Sequence, residues 1–329
     1  MMIFSKKIGD VSEAKKRRLL RSKGKKAYFK LFGKSYNKGE SAIGIAFMTP
    51  AVILGLIFTI LPMIISLAYA FTDAYMLDLS SASWNNFENF VRLFKDPILW
   101  KALGNTAIFV VVAVPVQLAI ALGLALILNI KTLRCNTFFR WAFFCPVMLS
   151  LAVTSMLWMN LMDYNDGLIN SILESIGLGR QLFLGSEEQA LGVIIFVSVW
   201  QGAGYQMLIF LSGLKNIPPE LYEAAAMDGA TKVRQFWSIT LPSIKPTFSY
   251  VMVTTLIGAF RLITQPMIMT GGGPLNSTLT MSYYIYIQGV EYWDVGYSSA
   301  IALFYTIIMA TIALTLRKVT GGDNTGGKS

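Results

Sequence analysis

Six long apolar runs, separated by loops whose charge changes sign from one to the next, constrain this chain more than any other feature. The runs cover roughly residues 43–71, 103–129, 138–161, 191–214, 247–269 and 297–316. Each is long enough to cross a bilayer as a helix, which takes about 20 residues at a rise of about 1.5 Å each. Lys131 and Arg134 follow the second run, with Arg140 just beyond. Lys215, Lys232, Arg234 and Lys245 follow the fourth, and Arg317 and Lys318 follow the sixth. The other loops are acidic. They carry Asp73, Asp78, Glu88 and Asp96, then Asp163, Asp166, Glu174, Glu187 and Glu188, then Glu291 and Asp294. Lys and Arg mark the cytoplasmic side of a membrane protein. The pattern therefore predicts an all-α integral membrane protein of six transmembrane helices, with both termini in the cytoplasm.

Composition agrees. The chain is 54% hydrophobic and 14% charged, against roughly a quarter charged in a soluble domain. Its net charge of +10 comes from residues 1–40, where thirteen Lys and Arg face Asp10, Glu13 and Glu40. Such an arm, directly before an apolar run, reads as lipid-facing, because each basic residue near anionic lipid contributes about 1 kcal/mol. Nucleic acid is the weaker reading and is not expected as a partner. The arm is too polar, and its first apolar run too far in, for a cleaved signal peptide. The expected organisation is a basic cytoplasmic arm (1–40), a transmembrane domain (41–318) with a prominent loop at 215–246, and a flexible tail (319–329).

Enzyme chemistry finds little purchase. The chain has no His, and Cys135 and Cys145 form no ligand or redox spacing. No metal, cofactor or catalytic residue is expected. Gly322, Gly327, Lys328 and Ser329 fit the phosphate-loop pattern, but that mechanism needs a strand before the loop and a helix N-terminus after it, and a working nucleotide site is not expected in this Gly-rich tail. Any ATP that drives this protein is expected to bind elsewhere.

Between the runs, residues 84–101 place Phe87, Phe90, Val91 and Phe94 at helical spacing, and 167–178 repeat the pattern with Leu168, Ile169, Ile172, Leu173 and Ile176. Both predict short helices at the outer face. Gly271-Gly272-Gly273-Pro274 predicts a turn after the fifth run, and Asn276-Ser277-Thr278 reads as a polar turn. Pro50, Pro62, Pro115 and Pro146 lie inside runs, where membrane helices tolerate them once neighbours satisfy the freed carbonyls.

Arg261 is the one charge well inside a run. It lies about 20 Å from the start of the fifth, past the midplane of a core about 30 Å thick. Intramembrane charges are costly and face a bundle interior or water. Arg261, with Thr264 and Gln265 on the next turn, therefore reads as lining a pathway; a salt bridge or a snorkelling side chain is the structural alternative. In the fourth run, Trp200, Gln201, Tyr205 and Gln206 mix aromatic rings, which stack on sugar faces, with amides that hydrogen-bond hydroxyls. Helix packing is the competing account.

Between the fourth and fifth runs the chain reads P-E-L-Y-E-A-A-A-M-D-G-A-T-K-V-R-Q-F-W-S-I-T-L-P from Pro219 to Pro242. A proline start, early acids and three alanines predict a short helix, broken at Gly229. A second helix is expected from Thr231, with Val233, Phe236, Trp237 and Ile239 on its apolar side. Two short helices at an angle make a knob suited to a partner's cleft; an amphipathic cytoplasmic hairpin with no partner is the alternative.

These residues resemble a known family. Glu223, Ala224, Ala225, Gly229, Ile239, Leu241 and Pro242 match the EAA motif of binding-protein-dependent ABC importer permeases, and Asp228, Ala230, Phe236 and Pro246 match its carbohydrate-uptake branch, similar to the larger maltose-type permease. The resemblance covers about residues 45–318. It takes in Pro50, Pro62, Asn105-Thr106, Arg140, Pro146, Trp158, Gly167, Asn170, Thr270 to Pro274, Gly296-Tyr297 and Ser299-Ala300, and leaves the basic arm outside. Many relatives carry Asp where Thr264 stands, and an aliphatic residue where Pro266 stands. The resemblance implies a MetI-like fold in the bacterial cytoplasmic membrane. It also implies a second permease subunit, two cytoplasmic ATPase subunits that receive the EAA loop, and an extracytoplasmic binding protein that delivers a sugar or oligosaccharide. A permease of the same superfamily for a non-sugar solute such as a glycerol phosphate is the alternative. An ion-coupled secondary transporter ranks lower, because no intramembrane acid is visible.

Overall fold

The computed structural model describes residues 28–31, 34–130 and 136–319. Cys135, the Lys131 and Arg134 pair, most of the basic arm and the phosphate-loop pattern of the tail lie outside the described residues. The chain divides after Ser66 into two units.

In the first unit, β1 (Tyr28–Leu31) pairs antiparallel with β2 (Lys34–Asn37), Tyr28 opposite Asn37. Helix α1 (Lys38–Gly55) follows, then a π-helical turn over Leu56–Ile60, then α2 (Leu61–Tyr69). The apolar helix of 26 residues from Gly44 to Tyr69 is the first expected span. The wide turn has a local cause. Pro62 brings no N–H to the ladder, and the turn closes instead through Leu61 N–H to the Leu56 carbonyl. The same device recurs before Pro242, where Leu241 N–H reaches the Phe236 carbonyl at the end of a π-turn over Phe236–Thr240.

The second unit is helical. It opens with α3 (Glu88–Lys95), the first of the two short helices expected between spans, and α4 (Pro97–Leu128), the second span. Asp96 caps α4 by accepting from the Ile98 and Leu99 amides. The third run departs from expectation. It is two helices, α5 (Asn136–Met148) and α6 (Leu151–Leu161), bent by 98°. Pro146 sits in the last turn of α5, and Ser150 accepts from Val153 N–H to start a new helix, so the apolar run does not continue straight. After α7 (Leu168–Ser175) come α8 (Ala190–Lys215), α9 (Pro219–Met227), α10 (Lys232–Gln235) and α11 (Leu241–Ser243). The fifth span is α12 (Lys245–Phe260), broken at Arg261–Ile263 and resumed as α13 (Thr264–Met269). Helices α14 (Met281–Tyr286) and α15 (Val295–Val319) complete the chain. Among the described residues five helices are long and apolar enough to cross a membrane, or six if the bent pair is one span.

Helices α4 and α8 form the centre of this unit, with α5 and α12 packed beside them. Helices in lipid gain little from apolar burial against one another, so close backbone approach matters more. A Cβ at Gly204 would collide with the Phe143 carbonyl of α5, and one at Gly213 would lie 2.8 Å from Thr247 Oγ1 of α12. These two glycines let α8 meet both neighbours.

Polar side chains pin the far end. Asn105 of α4 donates to the Asn276 and Leu279 carbonyls at 2.7 and 2.9 Å, and Thr106 Oγ1 accepts from Met281 N–H. The expected turn over 270–274 forms, with Gly271 and Gly272 at φ +60 and +85. Thr278 is fully buried there, bonded to the Thr270 hydroxyl and the Gly273 carbonyl, so Asn276-Ser277-Thr278 is a packed turn.

Candidate functional site

The break in the fifth span is the origin of the site. Phe260 ends α12, and the carbonyls it frees find side-chain donors. The Tyr305 and Ser282 hydroxyls donate to Phe260 O at 2.6 and 2.9 Å, and the Thr280 hydroxyl donates to Leu262 O at 2.6 Å. Irregular backbone at membrane depth survives when it is satisfied in this way and borders a cavity. Here it does both. A cleft of about 380 Å³ opens beside the break, with Arg261, Thr264 and Gln265 on its wall.

Helix α8 supplies the facing wall. Ser198, Gly202, Tyr205 and Gln206 recur at helical spacing along one face and line the cleft. Gln206 Nε2 donates to Thr255 Oγ1 of α12 at 3.2 Å, while Gln206 Oε1 and Ser198 Oγ are buried without a hydrogen-bond partner. Gln117 enters from α4. It crosses α8 at Gly202, where a Cβ would collide with its amide. The cleft thus offers amides, hydroxyls, one phenol and one guanidinium. None of its lining residues is Asp or Glu.

Five of the seven expected pathway residues meet here: Tyr205, Gln206, Arg261, Thr264 and Gln265. The other two lie elsewhere. Trp200 projects about 200° around α8 from Ser198. It lines a separate apolar pocket with Phe143, Pro146 and Phe196, and its ring packs edge-on against Trp158 at 5.3 Å. Gln201 serves the backbone. Its Nε2 donates to the Leu149 carbonyl at 3.0 Å, at the bend between α5 and α6. Gln117, Ser198 and Thr255 were not expected. The signal for Gln117 was its position as a polar residue deep in an apolar run.

At the opposite end of α8 stands the 215–246 loop. Helix α9 carries Glu223, Ala224 and Ala225. Asp228 caps it, and Gly229 turns the chain at φ +73, so that Ala230 N–H reaches the Ala225 carbonyl at 2.8 Å. Thr231 starts α10 by accepting from Arg234 N–H. Gln235, buried, donates to the Ala230 carbonyl at 3.1 Å and locks the two helices at their angle. The expected second helix is a composite: α10, the π-turn and α11. Phe236 and Ile239 are half-buried, while Val233 and Trp237 of the expected apolar side are exposed. With Leu221, and with Met227 at 89% exposure, they form an apolar crown on the loop. Leu241 and Pro242 lead directly into α12.

Among the described residues no group of His, Cys, Asp or Glu is arranged to hold a metal ion. The arrangement is a polar cleft beside the broken fifth span and a two-helix loop at the end of α8 that leads into α12.

Comparison with known proteins fits this arrangement. The chain is 32% identical over 294 residues to the sulfoquinovosyl glycerol transport system permease protein SmoG of Agrobacterium fabrum, covering 87% of this chain and 92% of that protein. It is 35% identical over 277 residues to the lactose transport system permease protein LacF of Rhizobium radiobacter, covering 83% and 91%. Its fold is similar to that in the crystal structure of a bacterial ABC transporter involved in the import of the acidic polysaccharide alginate, with a TM-score of 0.76, 24% identity and coverage of 87% of this chain and 98% of that one. A family model described as the binding-protein-dependent transport system inner membrane component matches residues 97–319, from the first residue of α4 to the end of α15. This chain, a multi-pass permease rather than an enzyme, belongs to that family.

Proposed function

We propose that this chain is one of two permease subunits that together form the pathway of an ATP-driven importer for a sugar or oligosaccharide. The observation that carries the reading is the cleft at Arg261. It is a polar space inside an apolar bundle, walled by the Gln117 and Gln206 amides, the Ser198 and Thr255 hydroxyls and the Tyr205 ring. Amides bond sugar hydroxyls, and aromatic rings stack on sugar faces. The names of similar permeases, for lactose and sulfoquinovosyl glycerol, support the same substrate class.

In this reading the protein sits in a bacterial cytoplasmic membrane, termini inside, with the basic arm against anionic lipid. The 215–246 loop docks by its apolar crown in a cytoplasmic ATPase subunit, and an extracytoplasmic binding protein delivers the solute. Glu223, Ala224, Ala225, Asp228, Gly229, Ala230, Phe236, Ile239, Leu241 and Pro242 transmit motion and perform no catalysis. ATP binding in the partners rotates α9 to α11, and Leu241-Pro242 passes the movement into α12 and its break at Arg261. Alternating access is the resulting exchange of the cleft between the two sides.

Uptake by proteoliposomes tests this. The expected result is sugar accumulation that requires ATP inside, the binding protein outside, and both permeases. Uptake by this chain alone under an ion gradient would replace the proposal with a secondary transporter.

A further inference from the structure

We infer that the cleft selects an anionic saccharide, a sugar or oligosaccharide carrying a carboxylate, sulfonate or phosphate, and that Arg261 is the residue that recognises the charge. The inference rests on the importer reading above and adds the chemical class of its cargo.

The argument begins with what surrounds Arg261. Its side chain is exposed within the cleft region, beyond the last turn of α12, and its backbone N–H is bonded to the Gly258 carbonyl. Among the described residues the guanidinium has neither an ion pair nor a hydrogen bond; the ion pairs present are Arg92 with Asp294, Lys101 with Glu187 and Arg180 with Glu174. Among the described residues no carboxylate lines the cleft. As this chain builds it, the cleft therefore carries one uncompensated positive charge at membrane depth.

Such a charge is costly to place in a span, and a purely structural arginine would be expected to hold a carboxylate or a free carbonyl. Arg261 holds neither. The carbonyls that the break frees nearby, Phe260 O and Leu262 O, are already occupied by neutral hydroxyls of Tyr305, Ser282 and Thr280. Arg261 is thus an exposed residue of the cleft lining whose guanidinium has no partner among the described residues, and its fork matches an oxyanion in bidentate fashion. The rest of the wall is neutral and suited to hydroxyl groups: the Gln206 and Gln265 amides, the Thr264 hydroxyl and the Tyr205 ring. One fixed cation among neutral hydrogen-bonding groups is a receptor for a polyol with one acidic substituent. A neutral sugar would displace water from the guanidinium without offering it a counter-charge, and a small anion without hydroxyls would leave the amides unused.

The test uses the assembled importer and a glycan panel of matched pairs, each neutral sugar or disaccharide beside its uronate. The cognate binding protein is screened against the panel first, and the hit is then followed for uptake by proteoliposomes carrying the wild type, R261Q or R261K. The expected hit is a uronate. R261Q lowers its uptake about tenfold or more, the loss of one charge-assisted hydrogen-bonded pair, while R261K, which keeps the charge but not the fork, retains more than R261Q and less than the wild type. Membrane abundance and thermal melting of each complex identify any loss due to misassembly, and R261K carries the decision if R261Q fails to assemble. A neutral hit, or a uronate whose uptake is the same in R261Q or equally lost in R261K, overturns the inference and leaves the importer reading in place. A hit outside the saccharides altogether overturns both.

Discussion

The hydroxyls of Tyr222 and Thr240 share a hydrogen bond of 2.9 Å. Tyr222 belongs to α9, and Thr240 ends the π-turn that leads through Leu241-Pro242 into α12. Gln235 ties α10 to the Ala230 carbonyl in the turn before it, and the Tyr222–Thr240 bond ties α9 to the π-turn that precedes α12. Removing a hydrogen bond of this kind costs about 1 kcal/mol. Y222F is expected to leave ATP hydrolysis near the wild-type rate and to lower solute transported per ATP several-fold, because the loop then moves without carrying α12. T240V also removes the 3.5 Å bond from the Thr240 hydroxyl to the Gln235 carbonyl, so it should lower coupling at least as far, and the double variant should add little to T240V. Parallel measurement of hydrolysis and uptake checks this; equal loss of both rates would assign the bond to stability alone.

Gly202 and Gln117 make a second pair. A Cβ at Gly202 would collide with the Gln117 amide, so G202A must push that amide out of its place on the cleft wall. Overpacking of this kind costs about 1–3 kcal/mol. Thermal unfolding in detergent should show the loss. Q117A combined with G202A should recover most of it, because the obstruction is gone. Transport should stay low in both variants, since neither presents the amide to solute.

Much of this was legible in the sequence, and the limits have physical causes. Five of the runs appear as spanning helices where the apolar residues are, and the third as a bent pair, because a bilayer forces long segments to be helical. The EAA loop was readable residue by residue, since Gly229 and the Pro219 start act on the local backbone. The bend at Leu149 and Ser150 was not, because a run of apolar residues reads the same whether the helix is straight or broken. For the same reason Gln201 passed for a pathway residue: its partner is a carbonyl freed by a bend that the sequence does not announce. Trp200 fails on angle, being on the wrong face of α8, and only a register relative to Ser198 and Gly202 separates the two. Gln117 was missed because its role depends on a glycine 85 positions away in the chain, at which α4 and α8 cross.

Gly229 offers a test of the loop that separates backbone from surface. Its φ of +73 lies in the left-handed region, and a Cβ there would meet open space within this chain. A β-branched residue pays the full conformational cost, about 1–2 kcal/mol, whereas Asn adopts the same region more readily. G229N should therefore preserve the melting temperature better than G229V. Both place a side chain on a face proposed to meet the ATPase, so both should reduce uptake while inserting normally. Membrane abundance, melting and uptake measured together distinguish the two effects; wild-type uptake in both variants would remove this face from the docking surface.

Asp96 gives the fold a pH dependence whose sign follows from its partners. Partial burial pushes its carboxyl up, but donation from the Tyr284 and Tyr297 hydroxyls at 2.5 and 2.7 Å and from the Leu99 and Ile98 amides outweighs that and holds it below the ordinary carboxylate value. A carboxylate with a lowered folded-state pKa contributes stability that is complete above the unfolded value, about 3.9, and is lost as pH falls through the folded one. The melting temperature of the purified protein should therefore be insensitive to this group between about pH 5 and 8, and should fall at lower pH as Asp96 takes up a proton. D96N keeps a side chain able to cap α4 but removes the charge that the two tyrosines serve. It should melt lower than the wild type at neutral pH and lose less on acidification, so the two curves converge. Parallel curves would show that other carboxylates set the acid limit.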